Sequence, residues 1–154
     1  MTLDLPDDYA YAPAGTFIMG SSVGELGRDN DEILTEVTST RAISVGRTEV
    51  TQAQWFEVMG TLPSKNRGCD AFPVELVSWF DAVNYSNALS VLDGLTSAYL
   101  VDGEDVRWDQ TADDYRLPTE AAGEYATRAG TATAFYNEEI TSEECDDPYM
   151  DRIG

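Results

Sequence analysis

The 154-residue sequence contains no histidine, a single lysine and only two cysteines. Without histidine, the chain itself provides no Ser-His-Asp or Cys-His catalytic group, no histidine-ligated metal and no histidine proton shuttle. The chain has nine basic and 29 acidic residues, which gives a formal charge of -20. This charge argues against nucleic acid and against an anionic membrane surface as partners, because both need a basic face on the protein.

Long apolar runs are also missing from the sequence. No stretch approaches the roughly 20 apolar residues that a membrane span requires. The first eight residues are acidic and lack the apolar core of a secretory signal. We expect a cytoplasmic protein if Met1 is the native start, and an extracytoplasmic one if the chain is a fragment of an exported protein.

The two cysteines, Cys69 and Cys145, lie far apart and form no CxxC motif, which excludes a zinc ribbon and a thioredoxin-like redox site. They could form one disulfide in an oxidising compartment or remain as two buried free thiols. Neither is a conventional nucleophile, because no histidine is present to act as its base.

The acidic residues are spread along the chain, and three tryptophans and eight tyrosines are too many for a disordered acidic tail. The charge has three interpretations: a salt-adapted surface, a surface that keeps the protein soluble, or a site for divalent cations. Calcium prefers six to eight oxygen ligands, and the segment 137–151 is rich in them. Its spacing fits no EF-hand, so we expect a charged surface loop there.

Capping and stop residues predict three helices. Thr51 and Gln54 form a capping box, and Ser78 and Thr119 are N-cap residues of two further helices. The expected helices run from Thr51 to Gly60, from Ser78 to about Leu92 before Gly94, and from Thr119 to Gly130. On the second helix, apolar residues at helical spacing predict the buried face: Trp79, Ala82, Val83, Leu89 and Leu92.

The strands expected from the sequence are short. Residues 9–20 predict a turn at Pro13–Gly15 followed by a strand at Thr16–Met19, and residues 36–50 predict two strands with a bend near Gly46. A hairpin is expected at 98–108 around Asp102-Gly103. Short strands without βαβ regularity indicate an irregular α+β domain.

Five ordered segments resemble the sulfatase-modifying-factor family, whose founding activity is the formylglycine-generating enzyme. They are Gly15–Gly20, Asp31–Glu32, Thr48–Gln54, Pro73–Ala82 and Tyr115–Gly130. The resemblance implies a C-type-lectin-like fold of the formylglycine-generating-enzyme type. It divides the chain into an N-terminal extension at 1–10 and the N-terminal portion of the family domain at 11–154.

Most residues in these segments have structural explanations. We expect Phe17 and Met19 in the core, and Trp79 packed in the core with its indole N–H bonded. Arg116 is expected to pair with Glu120 or Glu124, and Glu124 with Arg128 four residues later. Gly123 stands where the family usually has tryptophan, so the third helix should be marginal unless a neighbour compensates.

The resemblance also shows what is missing. Family members continue past this point into calcium-binding loops and, in true formylglycine-generating enzymes, a close cysteine pair that binds copper and oxidises a substrate cysteine. Cys69 and Cys145 do not match that pair. We therefore assign no catalytic, cofactor-binding or metal residue to this chain, and we expect a domain truncated at its C-terminus.

Three functions remain open. The chain could be a catalytically incomplete N-terminal portion of the family domain. It could be a non-enzymatic C-type-lectin-like binding module, or an enzyme that is active with a second chain supplying the C-terminal half. For a binding module, three loops are candidate contact regions: Ser21–Asp31, Thr61–Phe72 and Asn137–Asp151.

Overall fold

The computed structural model describes residues 8–131, which form six short strands and three helices. The strands are β1 (Tyr9–Ala12), β2 (Gly15–Met19), β3 (Thr35–Ser39), β4 (Ile43–Gly46), β5 (Tyr99–Asp102) and β6 (Asp105–Trp108), and the helices are α1 (Gln52–Met59), α2 (Trp79–Leu92) and α3 (Glu120–Arg128). The expected irregular α+β architecture is confirmed. Within the described residues, no helix is long and apolar enough to cross a bilayer.

The chain divides into two compact units, which we describe separately. The first contains the residues up to Val45 and those from Pro118 onwards, and the second contains Gly46–Leu117. In the first unit, β2 and β3 pair antiparallel in a register that runs from Gly15 opposite Ser39 to Met19 opposite Thr35. A second two-stranded sheet pairs β1 with β4.

Three expectations for these strands were wrong. Tyr9–Ala12 forms a strand that the sequence did not predict, because its partner β4 is distant in sequence, whereas the expected turn does lie between β1 and β2. The break between β3 and β4 falls at residues 40–42, whereas Gly46 is the last residue of β4. Phe17 and Met19 are half-buried rather than fully buried core residues.

The second unit is built on α1 and α2. The predicted capping box of α1 is present, since Thr51 accepts from the Gln54 amide and the Gln54 side chain accepts from the Thr51 amide. Gly60 ends the helix in the left-handed conformation. Trp55 is 4% exposed and stacks on Tyr85 of α2, with ring centroids 5.0 Å apart and planes within 4°. This aromatic stack joins the two helices.

The buried face of α2 differs from the expected one. Val83 is buried as expected, but the other buried positions are Tyr85, Ser86 and Ser90. Both serine hydroxyls donate to the carbonyl four residues earlier, so their burial leaves no donor unpaired. Trp79 is 53% exposed and Leu92 63% exposed, so the prediction that they pack in the core was wrong.

The predicted hairpin is present as the antiparallel pair β5–β6. Its turn lies one residue later than expected, at residues 103–104, where Gly103 adopts a positive φ of 61°. The Asn87 side chain fixes the hairpin to α2, because it donates to the Tyr99 carbonyl and accepts from the Tyr99 amide.

Helix α3 begins at the predicted N-cap Thr119, whose hydroxyl accepts from the Ala122 amide. It ends one residue before the expected glycine, because Ala129 adopts the left-handed conformation with φ 47°. The structure describes every residue of α3, and none of them is buried. A Cβ placed at Gly123 would meet no atom within 4 Å, so the space that a tryptophan would fill is open.

Candidate functional site

The first unit contains an open cleft of about 830 Å³. Strands β1 and β2 and the C-terminal end of α3 form its walls, and Leu34 and Val45 add to its lining. Tyr11, Ile18 and Leu34 line the cleft and are 48%, 49% and 51% exposed. Large apolar side chains are therefore held open to solvent inside a concave surface.

The wall between β2 and α3 is aromatic. Phe17 and Tyr125 have ring centroids 5.0 Å apart in a tilted arrangement. Gly15 permits this approach, since a Cβ at that position would lie 2.7 Å from the Tyr125 hydroxyl oxygen. An alanine there would push Tyr125 away from its position in the wall.

A charged pair on α3 fixes the helix to the end of β2. Glu124 accepts from the Gly20 amide at 2.8 Å and from Arg128 Nε at 2.7 Å, which confirms the predicted pair. Arg128 also donates to the Gly20 carbonyl at 2.7 Å. Gly20 has a φ of 94°, and a Cβ there would lie 2.7 Å from the Ile33 carbonyl oxygen, so only glycine fits.

The segment 21–32 forms the rim of the cleft and has its own internal bonds. Ser21 is 4% exposed and donates from its hydroxyl to the Glu32 carboxylate at 2.6 Å. Arg28 donates to the Ser21 and Glu32 carbonyls. Ser22 and Glu25 line the cleft, so one of the three predicted contact loops does reach it.

The lining of the cleft is largely apolar and has few titratable groups. Its titratable groups are Tyr11, Glu25, Tyr125 and Arg128, and the Arg128 guanidinium is already engaged with Glu124 and Gly20. No serine or cysteine nucleophile is paired with a base among these lining residues. Within residues 8–131, no group of three His, Cys, Asp or Glu side chains could hold a metal ion.

The other predicted regions lie elsewhere. Cys69 is exposed, which contradicts the alternative of two buried thiols, and Cys145 and Asn137–Asp151 lie outside the described residues. The loop Thr61–Phe72 belongs to the second unit. There, the Gln52 side chain donates to the Asn66 and Pro73 carbonyls, which holds the loop on its own unit.

Within the second unit, Arg116 has one acidic and one aromatic neighbour. Arg116 lies 4.0 Å from Asp114 and stacks over the Trp108 ring at 5.2 Å from its centroid. Asp114 lies only two residues before Arg116, so the two side chains can approach each other without a helix between them. The face of the Trp108 indole attracts the planar, charged guanidinium group.

Three carboxyl groups of the second unit have shifted pKa values. The Ser78 hydroxyl and amide lower the pKa of Asp81, and the Thr111 hydroxyl and amide lower that of Asp109. Burial raises the pKa of Asp114 more than Arg116 lowers it. None of the three lines the cleft.

Sequence reasoning did not find the cleft. Phe17 and Tyr125 lie in segments that resemble the family, whereas Tyr11 and Leu34 lie outside them. A strand prediction at Tyr9–Ala12 would have helped, since it alternates tyrosine and alanine. Leu34 carries no comparable signal, because its role depends on where residues 31–34 meet Gly20 and Ser21.

Comparisons with known proteins agree with the sequence motifs. The family model of the sulfatase-modifying factor enzyme 1-like domain matches residues 4–151. The chain is similar to the chaperone protein LppX of Paenibacillus barcinonensis, with 41% identity over 56% of this chain and 36% of that protein.

Solved structures show the same likeness. The Treponema denticola variable protein 1 is 28% identical with a TM-score of 0.68, over 82% of this chain and 54% of that chain. CarF is 28% identical with a TM-score of 0.63, over 82% of this chain and 57% of that chain. PvdO from Pseudomonas aeruginosa is 27% identical with a TM-score of 0.58, over 80% of this chain and 48% of that chain. The chain thus spans about half the length of these structures and 36% of the curated relative.

Proposed function

The chain belongs to the family of sulfatase-modifying factor enzyme 1-like domains, and we propose that it is a catalytically incomplete portion of that domain which binds polypeptide. Its fold is the irregular α+β, C-type-lectin-like type that the sequence motifs imply. It is therefore a protein of the formylglycine-generating-enzyme-like class. The step from family to binding function rests on the cleft and on the chemistry of the cysteines.

The cysteines support the incomplete-enzyme part of the proposal. Copper(I) selects soft thiolate ligands, and a productive pair has to be held close together. The chain has two cysteines far apart in sequence, and Cys69 is exposed on the second unit. We therefore propose that the chain by itself uses no copper, no calcium and no other cofactor.

The cleft supports the binding part. An open concave surface with several half-exposed apolar side chains suits an extended apolar segment of another protein, which buries those side chains without needing an exact shape. The Paenibacillus relative is described as a chaperone protein, and chaperones of the holdase type bind unfolded polypeptide. The strongest single observation is the exposure of Tyr11, Ile18 and Leu34 within one cleft.

Two adjacent residues provide a matched test. Leu34 lines the cleft and is 51% exposed, whereas Ile33 is 68% exposed and does not line it. The probe is fluorescently labelled, reduced and carboxymethylated α-lactalbumin, a permanently unfolded protein, and binding is followed by fluorescence anisotropy. We expect Leu34→Asp to weaken binding about tenfold, because burying part of a leucine contributes about 1–2 kcal/mol.

Ile33→Asp introduces the same charge next to the same loop and should leave binding within about twofold of wild type, that is within about 0.4 kcal/mol. Equal weakening by both variants would indicate a general charge effect and contradict the cleft as the site. If the wild-type chain does not bind the unfolded α-lactalbumin, the proposed binding function is wrong.

The competing function, oxidation of protein cysteine, has a direct assay. The chain is supplied with copper, a reductant, oxygen and a cysteine-containing sulfatase peptide, and the peptide mass is followed. We expect no conversion of the cysteine, while a family member with the close cysteine pair converts it. Turnover by this chain alone would disprove the incomplete-enzyme proposal.

A further inference from the structure

The cleft of the first unit has carboxylates beside its apolar residues. Glu25 lines the cleft and is half-buried. Glu36 lies directly opposite Ile18 in the β2–β3 register, and Leu34 lies two residues before Glu36. Opposite residues of an antiparallel pair project their side chains from the same face of the sheet. Ile18, which is half-exposed in the cleft, therefore has a carboxylate next to it.

A hydrogen bond on the same face supports this arrangement. The Thr16 and Thr38 hydroxyl oxygens, which belong to another opposite pair of the register, lie 2.9 Å apart. Ile18 and Glu36 are each two residues from that pair, so their side chains project from the same face as the two hydroxyls. Glu36 is exposed, as Ile18 is. Together they form an apolar surface bordered by negative charge.

The cations close to the cleft are already hydrogen-bonded to other groups. Arg128 lines the cleft, but its guanidinium donates to Glu124 and to the Gly20 carbonyl. Arg28 on the rim donates to two backbone carbonyls. Among the described residues, no basic side chain forms an ion pair with either of the two carboxylates beside the apolar residues. Their negative charge is therefore available to a ligand.

The rest of the chain increases the negative charge around the cleft. Asp29, Asp31 and Glu32 are exposed on the rim segment 21–32. The whole chain has a formal charge of -20. Charge of one sign attracts ligands of the opposite sign and repels a second copy of the same chain. Charge complementarity thus favours a partner that is positively charged.

We propose that the cleft selects apolar polypeptide segments that contain lysine or arginine, an inference that rests on the polypeptide binding proposed above. Lysine and arginine cover apolar surface with their aliphatic stems while their charged ends remain in water. A stem that lies on Ile18 places its cation next to Glu36. An acidic segment with the same apolar residues is repelled, and such charge contacts select between partners more than they add affinity.

The unfolded α-lactalbumin probe also tests this selection. Its cysteines are reduced and then carboxymethylated, carboxamidomethylated or aminoethylated, which makes them negative, neutral or positive. The three unfolded forms share one sequence and differ in charge. The carboxymethylated form binds through its apolar residues. In fluorescence anisotropy at about 20 mM salt, we expect the aminoethylated form to bind about tenfold more tightly than the carboxymethylated form. This preference should fall to about twofold at about 0.5 M salt, because salt screens the charges.

Two double variants locate the charges that select the ligand. Glu25→Gln with Glu36→Gln removes both carboxylates at the cleft and should lower the preference at low salt about threefold. Glutamine keeps the oxygen that accepts from the Ser22 amide. Glu57→Gln with Glu104→Gln is the matched control, because both residues are exposed, belong to the second unit and do not line the cleft. The control should keep the preference within about 1.5-fold of wild type. Both double variants should bind the carboxamidomethylated form as wild type does, which shows that they fold.

The other outcomes separate this inference from the function on which it rests. Equal binding of the three forms would leave polypeptide binding intact and overturn the charge selection. An equal loss of preference in both double variants would assign the selection to the whole acidic surface and contradict the role of the cleft. A dimer of the chain that Leu34→Asp dissociates would make a second copy the occupant and overturn the proposal. If none of the three forms binds, the proposed function is wrong, and this inference is wrong with it.

Discussion

Helices α2 and α3 begin with the same kind of cap and are held in place by different forces. Helix α2 buries Val83, Tyr85, Ser86 and Ser90, and Tyr85 stacks on Trp55. Helix α3, in the other unit, has no buried residue and is attached by charged hydrogen bonds to Gly20 and by the Phe17–Tyr125 contact. Buried packing fixes one helix, whereas charged hydrogen bonds and a single ring contact fix the other.

The difference has a consequence for the cleft. Elements with few buried apolar contacts open locally at lower free-energy cost than core elements. Since α3 supplies Tyr125, Ala126 and Arg128 to the cleft, the proposed binding site depends on the less firmly packed helix. Binding surfaces are often built from such elements, because they adapt to a ligand. The following predictions test this contrast, beginning with the largest expected effect.

The Trp55–Tyr85 stack should be the most costly contact to break. We expect Trp55→Ala to lower the free energy of unfolding by about 3–5 kcal/mol, because it removes a buried ring and leaves a cavity. Urea denaturation followed by circular dichroism measures this. Trp55→Phe should cost much less, since the buried indole N–H has no hydrogen-bond partner among the described residues. Similar losses for both variants would contradict the packing explanation.

Removal of the charged anchor of α3 should have an intermediate effect. We expect Glu124→Ala to lower stability by about 2 kcal/mol, the range for hydrogen bonds to a charged group, because Gly20 and Arg128 both lose their acceptor. Glu120→Ala is the control in the same helix, since Glu120 is exposed and contributes only about 0.5 kcal/mol through the helix dipole. If both variants lower the unfolding temperature equally, the hydrogen bonds of Glu124 contribute no more to stability than the exposed Glu120 does.

Two exchanges of glycine and alanine should strengthen α3. Gly123→Ala is expected to stabilise the protein by about 1 kcal/mol, because the added methyl group meets open space and alanine favours the helix. Ala129→Gly should also stabilise it by about 1 kcal/mol, because Ala129 has a left-handed φ of 47°. Hydrogen exchange of the α3 amides measures both. Faster exchange in either variant would contradict the proposed weakness of this helix.

The smallest expected effect concerns pH and the start of α2. The Ser78 hydroxyl and amide hold the pKa of Asp81 below its usual value, so the folded state favours the charged form. The resulting stabilisation is present above the ordinary aspartate range and is lost as the pH falls through the lowered pKa. An NMR titration of the Asp81 carboxyl should show a higher pKa in Ser78→Ala. An unchanged pKa would show that the hydroxyl is not the cause.

Local signals in the sequence anticipated much of the fold. Thr51, Ser78 and Thr119 satisfy helix amides through their own side chains, so the helix starts were predictable without tertiary information. The same holds for Gly103, because a positive φ in a tight turn favours glycine wherever the turn lies. The Glu124–Arg128 pair follows from helix spacing alone.

Burial was harder to predict. Trp79 and Trp55 are both tryptophans in apolar helical patterns, yet one is 53% exposed and the other 4%. Their difference depends on which face of each helix meets the other, and residue type does not encode that choice. The strand at Tyr9–Ala12 was missed because its partner, Ile43–Gly46, is more than thirty residues away in the sequence.

The sequence by itself determined the family, the acidic character, the absence of histidine and the starts of the three helices. These depend on residue identity and on contacts within one helical turn. Only the tertiary structure decided which tryptophan is buried. It also decided that Arg128 and Glu124 form hydrogen bonds to the Gly20 backbone and that Leu34 lines an open cleft. Each of those is a contact between residues distant in sequence, which forms only when the whole chain folds.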